Sequence, residues 1–173
     1  GTLLYNFNIT KITSYNNTNI GIILGGARNS TLMHNIAKNN TNAGLSIIRS
    51  SNPIINSTNI TIQNNTFYNN PIGMYLNGNA SLNNVIYNRA YNNTNRGFVI
   101  ETNSFDNNFT GNIAHNNTNE GFMITGVNSN NLTNNIAYNN LDGFEIQDDA
   151  NYTILVNNTA YNNSATNIII SSG

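Results

Sequence analysis

Cysteine is absent from this sequence. Disulfides, thiolate metal sites and cysteine nucleophiles are therefore excluded. Charge is scarce as well. Lys, Arg, Asp and Glu make up 8% of the 173 residues and the net charge is −1, against roughly 25% charged in an ordinary soluble domain. So neutral a chain has no electrostatic hold on nucleic acid or on an anionic membrane surface. No apolar run approaches the ~18 residues that a membrane-spanning helix needs, so membrane insertion is not expected. No basic-plus-apolar signal peptide opens the sequence. That fits an intracellular protein, and equally a mature or excised segment of an exported one. What fills the space is asparagine, with Ile, Thr, Gly and Tyr behind it. Asn-rich composition alone permits a disordered, aggregation-prone chain. Against this, 38% of the residues are apolar, and they are regularly placed.

The regularity is an internal repeat. Gly21, Gly44, Gly73, Gly97, Gly121 and Gly143 each precede an apolar-x-apolar triplet, at spacings of 23, 29, 24, 24 and 22. In the seventh copy Asn167 stands in the glycine's place; Asn is the other residue that enters the left-handed backbone region cheaply. Upstream of each glycine runs the track apolar-x-x-Asn-x-small-x-x-Asn. The first Asn column is Asn35, Asn65, Asn88, Asn112, Asn135 and Asn158, with Ile12 in the first copy. The second is Asn17, Asn40, Asn70, Asn93, Asn117, Asn140 and Asn163. The apolar stretches are too short for helices, and they alternate as short strands do. A period near 23 with three short strands per copy describes one coil of a parallel β-helix. Successive coils stack ~4.8 Å apart, so equivalent residues lie directly above one another. Stacked amides can then satisfy each other and the backbone at the bends, where an unpaired buried polar group costs about 1–3 kcal/mol. Both Asn columns are thus expected to be inward ladders at two of three corners. The expected fold is all-β, a right-handed parallel β-helix of about seven coils, with a bulging loop at 50–59. Residues 1–173 form one domain, either a unit by itself or a segment or repeating subunit of a longer assembly.

The Asn-x-x-x-Gly-Ile rhythm resembles the parallel β-helix repeat family, the right-handed pectate-lyase-like solenoids with NosD-like repeats. The resemblance covers Ile9 to Ile170 and supplies the handedness. It implies a fold and no single function, because such solenoids include lyases, hydrolases, epimerases, tailspikes, adhesins and surface-layer proteins.

Chemistry is harder to find. In the repeat frame Arg96, Glu120 and Asp142 share the position before the glycine, which reads as a surface charge ladder of little energetic weight. Glu101 and Glu145 take outward positions two coils apart, about 10 Å by the rung spacing. That lies at the edge of the roughly 6.5–9.5 Å between the carboxyls of inverting glycosidases, and no Lys or Arg falls beside either in the frame. No catalytic residue is therefore assigned. His34 and His115 occupy different repeat positions and are expected to face solvent. With three Met, two scattered His and no Cys, no copper ligand set is visible, and no metal site or cofactor is assigned. Asp148 and Asp149 beside Glu145 are the one place for a weak Ca²⁺ site. Tyr15, Tyr68, Tyr91, Tyr138 and Tyr161 form a column with Lys38 and His115, which reads as cross-strand packing before sugar stacking.

Asn-x-Ser/Thr acceptors are abundant: Asn8, Asn16, Asn29, Asn39, Asn56, Asn59, Asn64, Asn79, Asn92, Asn108, Asn116, Asn131, Asn151, Asn157 and Asn162. In NNT and NNS runs the acceptor is the outward neighbour of the ladder Asn. The expected protein is an extracellular or cell-surface structural rod carrying N-glycans, which would keep a charge-poor chain soluble. Neither end shows an amphipathic capping helix, and one copy's end joined to the next copy's start would complete a coil. The expected partner is accordingly the chain itself, stacked head to tail, with no nucleic acid and no membrane insertion. The alternative is a carbohydrate-active enzyme or glycan-binding module of the lyase or hydrolase kind.

Overall fold

The computed structural model describes residues 4–172 and contains no helix among them. Three seven-stranded sheets carry the fold. The first holds Asn8–Thr10, Thr31–Met33, Thr61–Gln63, Asn84–Ile86, Asn108–Thr110, Asn131–Thr133 and Ile154–Val156. The second holds Thr13–Tyr15, Ile36–Lys38, Thr66–Tyr68, Arg89–Tyr91, Ile113–His115, Ile136–Tyr138 and Thr159–Tyr161. The third holds Ile22–Gly25, Ala43–Ile48, Ile72–Leu76, Arg96–Ile100, Glu120–Thr125, Asp142–Gln147 and Thr166–Ile170. The chain visits the sheets in that order seven times, and every strand pairs in parallel with its counterpart one coil away. This is the expected parallel β-helix. Loop 50–59 bulges as expected, carrying the antiparallel pair Ser50–Ser51 and Ile54–Ile55 around a cis Asn52–Pro53 bond.

Alternation decides which residues face in. Ile9, Leu32, Ile62, Val85, Phe109, Leu132 and Leu155 are in register along the first sheet. The second sheet contributes Ala37, Phe67, Ala90, Ala114 and Ala137 to the same core. The third adds Phe98, Phe122 and Phe144, whose rings stack at 4.9 and 4.8 Å. Those spacings match the rise per coil, so the rings are held by the backbone repeat itself.

The corners obey one rule that the sequence showed only in part. Each bend is made by a residue at positive φ followed at once by an inward residue. Before the first sheet the positive-φ residues are Asn6, Asn29, Asn59, Leu82, Asp106, Ser129 and Tyr152. Between the first and second sheets they are Lys11, His34, Asn64, Tyr87, Gly111, Asn134 and Asn157. Between the second and third they are Asn16, Asn39, Asn69, Asn92, Asn116, Asn139 and Asn162. Asn tolerates this region better than most residues, which is why it recurs there. The inward neighbours form the ladders. Asn88 Nδ2 donates to Asn112 Oδ1 at 3.0 Å, Asn112 Nδ2 to Asn135 Oδ1 at 3.0 Å, and Asn135 Nδ2 to Asn158 Oδ1 at 3.0 Å. The second ladder runs from Asn17 through Asn40 to Asn163 in the same direction. A third, shorter ladder of Asn83, Asn107 and Asn130 lies at the remaining corner. Its column holds Phe7, Ser30, Ile60 and Thr153 in the other coils, so the repeat track did not reveal it.

The glycine column has a cause other than the one expected. None of Gly21, Gly44, Gly73, Gly97, Gly121 or Gly143 has positive φ. A Cβ on Gly121 would instead lie 2.8 Å from the carbonyl oxygen of Gly143 and 2.9 Å from Asn140 Nδ2. The need is for close approach between coils, not for a left-handed turn. Asn167 is no left-handed substitute either. It belongs to the last described coil, where no further carbonyl stands in its way.

Candidate functional site

Polar chemistry gathers on the outer face of the third sheet. Glu120 and Asp142 are paired in register, and Arg96 sits one coil below, ion-paired with Glu120. The ladder of Arg96, Glu120 and Asp142 is therefore real, but it is not a surface one: Glu120 and Asp142 are 7% and 8% exposed. Asp142 Oδ1 also accepts the Thr166 backbone N–H at 2.7 Å. Glu145 stands beside them in the next outward column, in register with Met123 and Ile169. Partial burial, and then the negative charges of Glu120 and Asp142, push its carboxyl above the usual range. Further along the face the Tyr75 hydroxyl donates to Glu101 and accepts from Asn77 Nδ2 at 2.7 Å. Burial and the Glu101 carboxylate raise the Tyr75 phenol, which is neutral at physiological pH.

Two expectations need correcting. Arg96 does lie within electrostatic reach of Glu145 and of Tyr75, though its guanidinium is taken up by Glu120. Glu101 and Glu145 are not in one column. Glu101 follows the strand ending at Ile100 and lies two residues across from the outward column of Glu145. Two rungs along and two residues across put their backbones about 12 Å apart, and the Glu101 carboxylate is taken up by the Tyr75 hydroxyl. Among the described residues the face thus holds the engaged guanidinium of Arg96 against Glu101, Glu120, Asp142 and Glu145, with Arg49 and Asp148 at its margin.

The aromatic column lies where the sequence placed it, on the second sheet. Tyr68, Tyr91, His115, Tyr138 and Tyr161 stack with centroids 4.8–5.1 Å apart and planes within 6°. Lys38 Nζ lies 5.7 Å from the ring centres of both Tyr15 and Tyr68. From Tyr91 to Tyr138 each ring is covered on both faces by its neighbours, so these faces are closed to a sugar and the column there is packing. His115 faces outward as expected and is half-buried within the stack. Burial and the nearby Arg89 hold its imidazole below the usual His range.

The histidines and methionines do not build a copper site. His34 is exposed at a corner of the second coil. His115 lies three rungs away, about 14 Å along the axis. Met74 is fully buried in the core, while Met123 faces outward on the third sheet and Met33 on the first. Soft donors converging on one ion are what copper requires, and these donors point in different directions. At the Ca²⁺ position, Asp148 and Asp149 both occupy positive-φ turn positions, and Asp148 accepts from Thr125 Oγ1 at 2.9 Å. Both acids are accounted for by the turn.

None of the fifteen sequon asparagines is buried. Ten of them, Asn16, Asn29, Asn39, Asn59, Asn64, Asn79, Asn92, Asn116, Asn157 and Asn162, have positive φ. Asn69 and Asn139 keep the same backbone, φ 54 and 55, although Pro71 and Leu141 deny them a sequon. The corner backbone explains these asparagines whether or not a glycan is attached.

Comparison with known proteins gives a family and a fold. The family described as "Periplasmic copper-binding protein (NosD)" matches residues 51–173. Among curated proteins none matches the sequence. Solved structures with the same fold include a periplasmic alginate epimerase, AlgG, at TM-score 0.71 and 20% identity over 86% of this chain and 33% of that one. The A-module of the Azotobacter vinelandii mannuronan C-5 epimerase AlgE4 also gives 0.71, with 14% identity over 98% of this chain and 57% of that one. This chain spans a third of AlgG and little more than half of the AlgE4 module, and at these identities the likeness concerns the fold.

Proposed function

The chain belongs to the NosD family, and we propose that it serves as a structural β-helix rod outside the cytoplasm, with no catalytic role of its own. The description of the matched family, a periplasmic protein, supports that location. The observation that carries the rod is the polarity of the ladders. The ladder asparagines donate toward the following coil, as from Asn17 Nδ2 to Asn40 Oδ1 and from the Asn140 N–H to Asn163 Oδ1; in the last described coil Asn163 Nδ2 turns to the Ala137 carbonyl and Asn167 Oδ1 instead. The inward residues of that last coil are uncovered, Ile170 being 74% exposed. Such a surface is shaped to take another coil, from a further copy or from further solenoid.

The junction is weaker than the interior seams. Ile12 replaces a ladder Asn, and Asn167 replaces the close-approach glycine. We propose that both loosen head-to-tail stacking without abolishing it. Light scattering of the purified chain over a concentration series tests this: reversible growth of mass supports it, and an invariant 18.9 kDa particle refutes it. N-glycosylation belongs to the same proposal, supported by the accessibility of all fifteen acceptors. Intact mass of native material is its test, and the bare polypeptide mass would remove it.

The reading as a carbohydrate-active enzyme has less support. Chemistry on a polyuronate needs a free cation to neutralise the sugar carboxylate. On the polar face the guanidinium of Arg96 is bound to Glu120, and the other arginine, Arg49, lies at the margin, coils away from Glu120, Asp142 and Glu145.

A further inference from the structure

Loops 101–106 and 126–129, one coil apart beside the third sheet, enclose an open cavity of about 210 Å³. Its apolar lining is Val127, 2% exposed, and Phe105, 41% exposed. Around them stand Asn103, Asp106, Asn128 and Ser129, all exposed to solvent. Asp106 and Ser129 belong to the corner column before the first sheet, while Thr102 and Asn103, φ 52 and 56, belong to the bend that leaves the third sheet. The left-handed region is costly for a β-branched residue such as Thr102. The bend after the third sheet takes it in successive coils, at Gly78, Thr102, Gly126 and Asp148, and Thr102 shapes the rim.

We propose that this cavity is a seat for a single neutral sugar ring. A pyranose presents C–H groups on one face and hydroxyls around its edge. The Phe105 ring and Val127 offer an apolar surface for the first. The amides, the Ser129 hydroxyl and the Asp106 carboxylate offer donors and acceptors for the second. No Lys or Arg lines the cavity, so a phosphate or a uronate would meet Asp106 with no counter-charge. The cavity is also smaller than the ~300–1,000 Å³ of sites for larger ligands, which limits the occupant to about one ring. Phe105 suits this use where the tyrosine column does not, because its ring is not covered by a stacked neighbour. The seat depends on two loops in mid-solenoid and not on the coil ends, so it stands or falls separately from the rod.

The test is an amide-shift titration of the whole chain, ¹⁵N-labelled, with the methyl glycosides of glucose, galactose, mannose and N-acetylglucosamine, and with methyl glucuronide as the anionic control. A neutral glycoside is expected to shift Asn103, Asn128 and Ser129 saturably in the millimolar range. Phe105→Ala should weaken that binding about fivefold to tenfold. Asn128→Lys, an exposed rim change that leaves the core untouched, should weaken it too. No saturable shift with any of the four neutral glycosides would overturn the proposal. So would equal binding by both variants, or tighter binding of the glucuronide.

Discussion

Asn112 is the sharpest place to perturb the fold, because its side chain is fully buried and all its hydrogen bonds are identified. Oδ1 accepts the Asn88 backbone N–H at 2.9 Å and Asn88 Nδ2 at 3.0 Å. Nδ2 donates to the Val85 carbonyl at 2.8 Å and to Asn135 Oδ1 at 3.0 Å. In Asn112→Ala several of these groups keep other partners. Asn88 Nδ2 still reaches the Ile62 carbonyl at 2.8 Å, and Asn135 Oδ1 still accepts the residue 112 backbone N–H. The Asn88 N–H does not: it is left buried without an acceptor, at about 1–3 kcal/mol. With the small cavity added, the loss should be about 2–4 kcal/mol. Asn112→Asp keeps the shape but turns both donors into acceptors facing the Val85 carbonyl and Asn135 Oδ1. Burial would raise that carboxyl above its unfolded pKa of about 3.9, so the variant loses about 1.4 kcal/mol per pH unit from there up to its folded pKa. Asn112→Asp should therefore be worst at neutral pH and recover as pH falls. Urea unfolding followed by far-UV circular dichroism between about pH 4 and 8 measures both. A loss below about 1 kcal/mol for Asn112→Ala, or a pH-independent Asn112→Asp, would refute the ladder reasoning.

Tyr152 holds φ 56 while 83% exposed, so Tyr152→Asn should stabilise by roughly 0.5–1 kcal/mol; an unchanged or lower melting temperature would contradict the corner rule. Gly121→Ala should destabilise by about 1–3 kcal/mol through the clash with Gly143, whereas Asn167→Ala should stay within about 0.5 kcal/mol, the pair being compared by thermal melting. His115 resists protonation in the folded state, so the stability it supports is complete above its ordinary pKa near 6.5 and declines as pH falls below that. His115→Tyr, which continues the ring stack, should remove this part of the acid sensitivity, and an identical pH–stability profile would rule it out.

The repeat made most of the fold legible, and for a physical reason. Stacking puts equivalent residues in one environment, so Asn135, Ala137 and Asn140 announce their roles by recurring. Columns of mixed composition stayed hidden. The corner before the first sheet holds Asn, Leu, Asp, Ser and Tyr at positive φ, and its ladder is Asn in only three coils. The glycines were visible but not their cause, because a left-handed turn and a close approach select the same residue. The Arg96–Glu120–Asp142 column was readable from the frame, but its burial was not, since exposure depends on side chains from neighbouring columns. The cavity beside Phe105 lies between loops where the backbone conformation recurs but the residue types do not.

The rod is tested most directly by measuring the mass of the purified chain against concentration, beside the double variant Ile12→Asn, Asn167→Gly. The variant restores a ladder residue and removes the Cβ that opposes the next coil. It is expected to assemble at lower concentration than the parent, into filaments with ~4.8 Å rungs and a repeat of about 34 Å per seven-coil subunit. If parent and variant both remain single particles at every concentration, the head-to-tail rod is wrong.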